Sequence, residues 1–326
     1  MIITNIINNL KKTQTYISLF CASALLTGCE ASLDLRGVED ELSKSRLRTD
    51  QYQQMVMSEG VLTLVGSAGV VLSSRDEGVS WTRQEVAGSP NFIGLSLCPD
   101  QRLLALSFDR QVWSSSDQGR SWVAHALPTQ EDMIGLTCGT DGSWWVSGSY
   151  STLLHSSDQG QSWAESSFDE DALVTHIQFF DDQVGIAAAE FGLFFKTSDG
   201  GQSWDMIGTI GQELYPLTVH FSDPQNGWVG GLNGVIMHTE DGGETWAEQA
   251  SGVESPIYRF FGQGDRLYAA GDHAVVLSYR DGVWVQLETP NIPIYLSAGQ
   301  VLSHQQLLVA GGWGTLMTLS VTDAAL

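Results

Sequence analysis

The stretch Thr239-Glu240-Asp241-Gly242-Gly243-Glu244-Thr245-Trp246 recurs as near-copies along this chain. Its pattern is Ser/Thr-x-Asp-x-Gly-x-Ser/Thr-Trp. The acidic third position is filled five times, and a sixth time in a damaged copy, by Asp76, Asp117, Asp158, Asp199, Asp241 and Asp281. Consecutive copies are 40 to 42 residues apart. A period of this length and regularity indicates a repeat architecture.

Each copy has the composition of a tight corner between two β-strands. The Asp accepts hydrogen bonds from backbone N–H groups about two residues further on. The Gly supplies the positive φ that the turn needs, and the Ser or Thr hydroxyls satisfy the remaining turn amides. The aromatic residue then begins the next strand and packs against the neighbouring repeat; its copies are Trp81, Trp122, Trp163, Trp204 and Trp246. We interpret the motif as structural rather than catalytic.

The third repeat shows the whole unit most clearly. Alternating apolar and β-branched residues predict strands at 133–138, 144–148, 152–156 and 162–166. Four strands per repeat and seven second-and-third strand pairs predict an all-β fold, a seven-bladed β-propeller. The last repeat has no corner and no fourth strand. We therefore expect residues 42–50 to supply its outer strand and to close the ring, because an open edge exposes unpaired backbone.

The N-terminus reads as an export signal. Lys11 and Lys12 precede an apolar run over 16–26, and Leu26-Thr27-Gly28-Cys29 resembles the lipobox of bacterial lipoproteins. This predicts a signal peptide at 1–28, a lipidated Cys29 with a polar tether at 29–48, and a propeller at 49–326. The expected location is the periplasmic side of the envelope, on the outer membrane. An ordinary signal peptide or a short membrane anchor is the alternative.

Charge and cysteines limit the environment further. The chain has 15 Lys and Arg against 38 Asp and Glu, a formal net charge of −23, which argues against nucleic acid and anionic membrane surfaces as partners. Cys98 and Cys138 lie in adjacent repeats, in a compartment that permits disulfides. They are offset by one residue, so their side chains leave opposite faces of the pleat. We expect two buried thiols, with a bridge as the alternative.

The corner resembles the Asp-box (BNR) repeat of sialidases, other glycoside hydrolases and sortilin-type receptors. The longer unit GWVGGLNGVIMHTEDGGETW, residues 227–246, resembles the repeat of the photosystem II stability/assembly factor family. This resemblance implies a seven-bladed, non-enzymatic factor that binds a newly made membrane protein during complex assembly. The basic Arg patch associated with photosynthetic members is missing from this acidic chain, so the expected partner is another membrane or periplasmic protein complex, such as a transporter.

Catalytic signatures are sparse. The chain has no His-Glu-x-x-His, no Cys-x-x-Cys, no Gly-x-Ser-x-Gly and no phosphate-binding glycine loop. His155 and His238 precede the corner at the same point of two repeats, which indicates a structural role. We predict no cofactor, no metal and no enzymatic activity. The alternative is a glycan-active or glycan-binding propeller, for which the pair Tyr258 and Arg259 is the one candidate remnant.

Any binding surface is expected opposite the corners, because the corners occupy one face of a propeller. The turns between second and third strands and the links between blades project from the other face. The candidate binding residues are Phe108, Arg110, Tyr150, Phe191, Asn233, His273, Trp313, Tyr258, Arg259 and Tyr295. Aromatic side chains on hairpin tips favour an interaction surface. The alternative is that several of them enter the mouth of the propeller and stack on one another.

Overall fold

The computed structural model describes residues 36–211 and 214–321 of the chain. The chain divides into two compact units, with the boundary between Lys44 and Ser45 of the sequence. The described part of the first unit is helix α1 (Arg36–Leu42), inside the segment predicted as a polar tether. The predicted signal peptide and Cys29 lie outside the described residues. In the part of the chain that the structure covers, no helix is long and apolar enough to cross a membrane.

The second unit is a ring of seven antiparallel sheets, which confirms the predicted all-β, seven-bladed propeller. Its first four sheets contain β1 (Tyr52–Ser58), β2 (Val61–Gly66), β3 (Val70–Ser74), β4 (Thr82–Glu85), β5 (Phe92–Leu97), β6 (Leu103–Ser107), β7 (Gln111–Ser115), β8 (Val123–Ala126), β9 (Met133–Cys138), β10 (Trp144–Gly148), β11 (Thr152–Ser156), β12 (Ala164–Ser167), β13 (Val174–Phe179), β14 (Gly185–Ala189), β15 (Leu193–Thr197) and β16 (Asp205–Thr209).

The remaining three sheets contain β17 (Thr218–Phe221), β18 (Gly227–Gly230), β19 (Ile236–Thr239), β20 (Ala247–Gln249), β21 (Ile257–Gln263), β22 (Arg266–Gly271), β23 (Val276–Arg280), β24 (Val283–Gln286), β25 (Leu296–Ser303), β26 (Gln306–Gly311) and β27 (Leu316–Ser320). The first strands of neighbouring sheets contact one another around the ring, so they are the inner strands.

The core consists of seven apolar clusters, one at each contact between neighbouring blades. The second strands are buried almost throughout, because each is covered on both faces by adjacent sheets. The fourth strands lie at the periphery, and β12 is exposed along its whole length. Burial therefore decreases from the inner part of each blade to its fourth strand. This explains why the second and third strands keep their apolar character even where the corner motif is lost.

The predicted corner is formed as a network of hydrogen bonds around one carboxylate. Asp76 accepts the backbone N–H of Ser80 at 2.9 Å and its hydroxyl at 2.6 Å. Ser74 donates its hydroxyl to Asp76 and accepts the N–H of Gly78. The Asp therefore reaches four residues along the chain, further than predicted. These hydrogen bonds, led by that from Ser80, lower the pKa of Asp76 to about 2. The same network recurs at Asp117, Asp158, Asp199 and Asp241.

The sixth, damaged copy does not form this corner. Asp281 and Gly282 are a two-residue turn between β23 and β24, with φ of 49° and 86°. Positive φ at both positions is the geometry of a type I′ hairpin, which Asp-Gly favours. Two residues separate Asp281 from Trp284, whereas four separate Asp from Trp in the intact motif, so Asp281 has no loop to enclose. Asp281 therefore lies in a turn between two strands as predicted, but this turn is a type I′ hairpin and not an Asp-box corner.

The ring closes by a different route from the one predicted. The seventh sheet has three strands in the described chain, and residues 45–50 add no fourth. Asp50 accepts the N–H of Leu47, the hydroxyl of Tyr52 and the guanidinium of Arg83 at 2.8 to 3.0 Å. These bonds curl the segment into a turn, so that a single carbonyl, that of Asp50, accepts a hydrogen bond from Gly314. Closure then rests on apolar packing of β1 against the seventh sheet, together with hydrogen bonds that Tyr295 donates to Gln51 and Ser297 donates to the carbonyl of Tyr52.

Cys98 and Cys138 form a disulfide bridge with Cα atoms 5.2 Å apart, so the expectation of two free thiols is wrong. The reason lies in how blades pack. Adjacent sheets meet face to face, so a side chain that leaves the front of one blade meets one that leaves the back of the next. The one-residue offset between the two cysteines therefore brings their sulfurs together.

Reduction of this bridge is expected to destabilise the propeller. The bridge spans 40 residues and joins Cys98, which directly follows β5, to Cys138 at the end of the neighbouring inner strand β9. Its loss should lower the free energy of unfolding by about 2–4 kcal/mol, chiefly through the regained freedom of the unfolded chain. Denaturant unfolding with and without reductant measures the change. A Cys98→Ser/Cys138→Ser variant should be insensitive to reductant, and equal midpoints for oxidised and reduced wild type would contradict the prediction.

Candidate functional site

A cavity of about 650 Å³ lies on the axis of the ring and is lined by residues from all seven blades. Its wall combines apolar side chains with hydroxyl, amide and charged groups. The lining includes Ile93, Ile134, His176, Leu217, Tyr258, Arg259 and Tyr295. This volume is in the range of small-molecule sites in proteins.

The register of the strands shows at which end of the ring this cavity lies. The first residues of the inner strands pair with the last residues of the second strands, as Met133 does with Gly148 and Ile257 with Gly271. The cavity residues Ile134 and Tyr258 directly follow those first residues. The cavity therefore lies at the end of the inner strands nearest to the turns between second and third strands. We call this side of the ring the turn face; it carries the turns that contain Ala68, Phe108, Tyr150, Phe191, Asn233, His273 and Trp313.

Six of the seven turns share one backbone conformation. In each, a residue with φ between 53° and 62° is followed by a second residue with positive φ, and the N–H of the next residue returns to the carbonyl of the first turn residue. This is a type I′ turn, whose second position usually holds Gly. At Gly314 a Cβ would lie 2.1 Å from the carbonyl oxygen of Leu47, so the close approach leaves no room for a side chain.

In three of these turns, the first of the two residues with positive φ is aromatic, although this backbone conformation is unfavourable for any residue with a side chain. Tyr150, Phe191 and Trp313 have φ of 53°, 62° and 55°. Left-handed conformation costs a residue with a side chain about 1–2 kcal/mol relative to the right-handed one. The rings gain little burial in return, since they are 62, 50 and 64% exposed, and Phe108 on the remaining turn is 65% exposed. Large apolar side chains at one face of the ring are thus held towards solvent.

The structure divides the predicted binding residues into two groups. Phe108, Arg110, Tyr150, Phe191, Asn233, His273 and Trp313 lie on the exposed turns, whereas Tyr258, Arg259 and Tyr295 line the cavity. The alternative in which several candidates enter the mouth therefore holds for Tyr258, Arg259 and Tyr295, whereas in the described chain no aromatic contact joins the four exposed rings to one another. Arg110 lies 3.7 Å from Asp132, and His273 lies 3.1 Å from Asp272.

The cavity wall contains one cationic side chain, Arg259, whose charge acts on His176 and His220. The guanidinium of Arg259 donates from Nε to the carbonyl of Ser297 at 3.2 Å, and burial lowers its pKa to about 10. Burial and the Arg259 charge lower the pKa of His176 and of His220 to about 4. His220 was not among the predicted residues. The two histidines and Arg259 come from three different blades, so their proximity depends on the ring.

The cavity lining carries one carboxylate, Asp272, which is the partner of His273. Glycoside hydrolysis uses a pair of carboxylates on either side of the scissile bond. Within residues 36–211 and 214–321, no group of three His, Cys, Asp or Glu side chains could hold a metal ion. His155 and His238 stack on Trp145 and Trp228 with ring centroids 4.2 and 4.6 Å apart, which confirms their structural role.

The sequence and the fold match known proteins. The family model of the photosynthesis system II assembly factor YCF48 matches residues 166–248 and 208–291. This agrees with the resemblance drawn from residues 227–246. No curated protein sequence matches the chain.

Three solved structures illustrate the shared fold. YCF48 from Cyanidioschyzon merolae is 17% identical, with 83% of this chain and 96% of that chain covered and a TM-score of 0.66. YCF48 bound to D1 peptide is 16% identical, with coverage of 84% and 93% and a TM-score of 0.68. A catalytically inactive virginiamycin B lyase from Staphylococcus aureus with quinupristin is 11% identical, with coverage of 84% and 96% and a TM-score of 0.73.

Replacing the turn rings by glycine is expected to preserve or raise stability. Tyr150→Gly, Phe191→Gly and Trp313→Gly each remove an exposed ring and release a left-handed residue from its Cβ clash, so the free energy of unfolding should rise by up to about 1 kcal/mol per site. Ala68→Gly, at the same turn position without a ring, is the matched control. Denaturant unfolding measures both, and a loss of more than about 1 kcal/mol would show that the rings support the fold.

Acid is expected to weaken the propeller in a defined range. The pKa of five histidines is lowered from the ordinary value of 6.5; these are His125, His155, His176, His220 and His238. As the pH falls below 6.5, the unfolded chain takes up protons that these histidines bind only at lower pH in the folded chain, near pH 4 for His176 and His220, so stability falls across this range. Chemical unfolding at several pH values measures the slope. A His176→Gln/His220→Gln variant should show a shallower slope, and an unchanged slope contradicts the assignment.

Proposed function

We propose that this chain, whose fold and central repeats match those of the photosystem II assembly factor propellers, is a lipid-anchored scaffold without catalysis of its own. It binds a segment of a membrane protein on its turn face and acts in the assembly of an envelope complex such as a transporter. The observation that carries the proposal is the set of exposed rings at Phe108, Tyr150, Phe191 and Trp313, all on one face.

The energetics of the turns favour a binding role for these rings. Ala68 and Asn233 occupy the same turn position in other blades, so the turn itself does not require an aromatic residue. An exposed ring in an unfavourable backbone conformation lowers the stability of the isolated chain. Burial of the ring against a partner would offset this cost. Tyr and Trp also contribute much of the binding energy at protein interfaces.

A peptide-like ligand is supported by a protein of the same fold. The structure of YCF48 bound to D1 peptide shows that a seven-bladed propeller of this type holds a peptide. The net charge of −23 favours a segment with basic residues, which the acidic chain attracts.

Two independent observations support the proposed cellular location. Leu26-Thr27-Gly28-Cys29 reads as a lipobox, which would attach the chain to the outer membrane on its periplasmic side. The Cys98–Cys138 bridge is typical of an exported protein, because the cytosol keeps thiols reduced. An anchored propeller would meet the periplasmic loops of membrane proteins at high local concentration.

Glycan processing is the second functional class. It needs an arginine with an acid pair in the cavity, and the lining offers Arg259 with the single carboxylate Asp272. We therefore favour binding over catalysis.

The turn face is tested by capture from detergent-solubilised membranes of the source cell, with the full chain as bait. Wild type should retain one membrane protein, identified after cross-linking and mass spectrometry. The triple variant Tyr150→Gly/Phe191→Gly/Trp313→Gly should retain at least about tenfold less of it, since hot-spot rings contribute more than about 1 kcal/mol each.

The control is a triple variant of exposed apolar residues away from the turn face, Val79→Ala/Val123→Ala/Met206→Ala. It should capture the partner as wild type does. Capture of the same protein by the glycine variant would exclude this face. Failure of folded wild type to retain any membrane protein would contradict the scaffold function.

A further inference from the structure

Arg259 carries a positive charge on the axis of the ring without an acidic partner. Its Nε donates to the carbonyl oxygen of Ser297 at 3.2 Å, and in the described chain no carboxylate lies within ion-pair distance of the guanidinium. A guanidinium has five N–H donors, so several remain for a ligand. Removing such a group from water is costly unless an anion or a set of hydrogen bonds compensates it.

The neighbouring groups leave this charge unbalanced. His176 Nε2 is fully enclosed and has no hydrogen-bond partner among the described residues. Burial and Arg259 hold the pKa of His176 and His220 near 4, so both rings are neutral at pH 7. The one carboxylate of the lining, Asp272, pairs with His273 at 3.1 Å. Among the described residues, the lining thus offers one cation, Arg259, and one carboxylate, Asp272, which lies against His273 and not within ion-pair distance of Arg259.

The shape and lining of the cavity specify the ligand further. A planar guanidinium matches a carboxylate through two parallel N–H···O bonds. A second negative charge on the ligand would have no cation to meet. The volume of about 650 Å³ exceeds a carboxylate by far, and Ile93, Ile134 and Leu217 give the wall apolar area. The complementary molecule is therefore a monoanion with an apolar body.

We propose that the central cavity binds a small monocarboxylate, with the carboxylate on Arg259 and the apolar body against Ile93, Ile134 and Leu217. This site is separate from the exposed rings of the turn face, and the inference does not rest on the proposed function. The mouth of the cavity opens on the same face, which gives a small ligand a path from solvent.

Benzoate is the probe, and benzamide is its uncharged isostere. Calorimetric titration of the full, oxidised chain should show saturable binding of benzoate and none of benzamide, while the dianion phthalate should bind more weakly than benzoate. Arg259→Met should weaken benzoate binding by more than about tenfold, because the charge-assisted pair is lost. Arg266→Met is the matched control, because Arg266 bonds to Ser303 and His304 rather than lining the cavity, and it should bind as wild type does.

Arg259→Lys provides a second variant that keeps the buried charge but loses the bidentate fork. It should bind benzoate more weakly than wild type and more tightly than Arg259→Met. Equal affinity of wild type and both Arg259 variants would overturn the site, and equal affinity for benzamide would overturn its preference for an anion. Failure of folded wild type to bind benzoate at millimolar concentration would overturn the proposal.

Discussion

The face-to-face packing of neighbouring sheets is the interaction on which the rest of this structure depends. A four-stranded sheet has two apolar faces, and each blade covers them with the sheet before it and the sheet after it. The same packing joins the last blade to the first, which allows the ring to close although the seventh sheet has three strands in the described chain. At this junction the carbonyl of Asp50 accepts the N–H of Gly314, and the Asp50 carboxylate is held in place by a buried ion pair to Arg83 of the first blade.

The same constraint separates the two ends of every blade into different roles. At the corner end, the carboxylate network fixes the loop and the Trp packs on the preceding blade, as Trp122 does against the first blade. Variation there would break a blade contact. At the turn end, the type I′ turns fix the backbone alone, and their first residue points away from the core. Side chains at this end are therefore free to differ, from Ala68 to Trp313, without loss of the ring.

The sequence predicted the features that depend on residues close together in the chain. It did not predict those that depend on contacts between blades. The period gave the blade count, and the first three strands of the third repeat lie where alternation placed them. The disulfide was missed because pleat geometry within one sheet was applied to a contact between two sheets. The Asp50 junction has no repeated signature. The group of Arg259, His176 and His220 comes from inner strands about 40 residues apart, and only closure of the ring brings these residues together.

The fold requires neither the aromatic rings on the turns nor the guanidinium of Arg259 in the cavity. In β-register, the position of Arg259 opposite Ala270 corresponds to Gly94 in the second blade, Gly135 in the third and Ala298 in the seventh. The repeat therefore forms a good inner strand without any polar side chain at this point. A half-buried guanidinium without an acidic partner and exposed rings in left-handed turns both lower the stability of the isolated chain. Both lie at the turn end of the blades, where the packing leaves side chains free, and a ligand at that end would offset both costs.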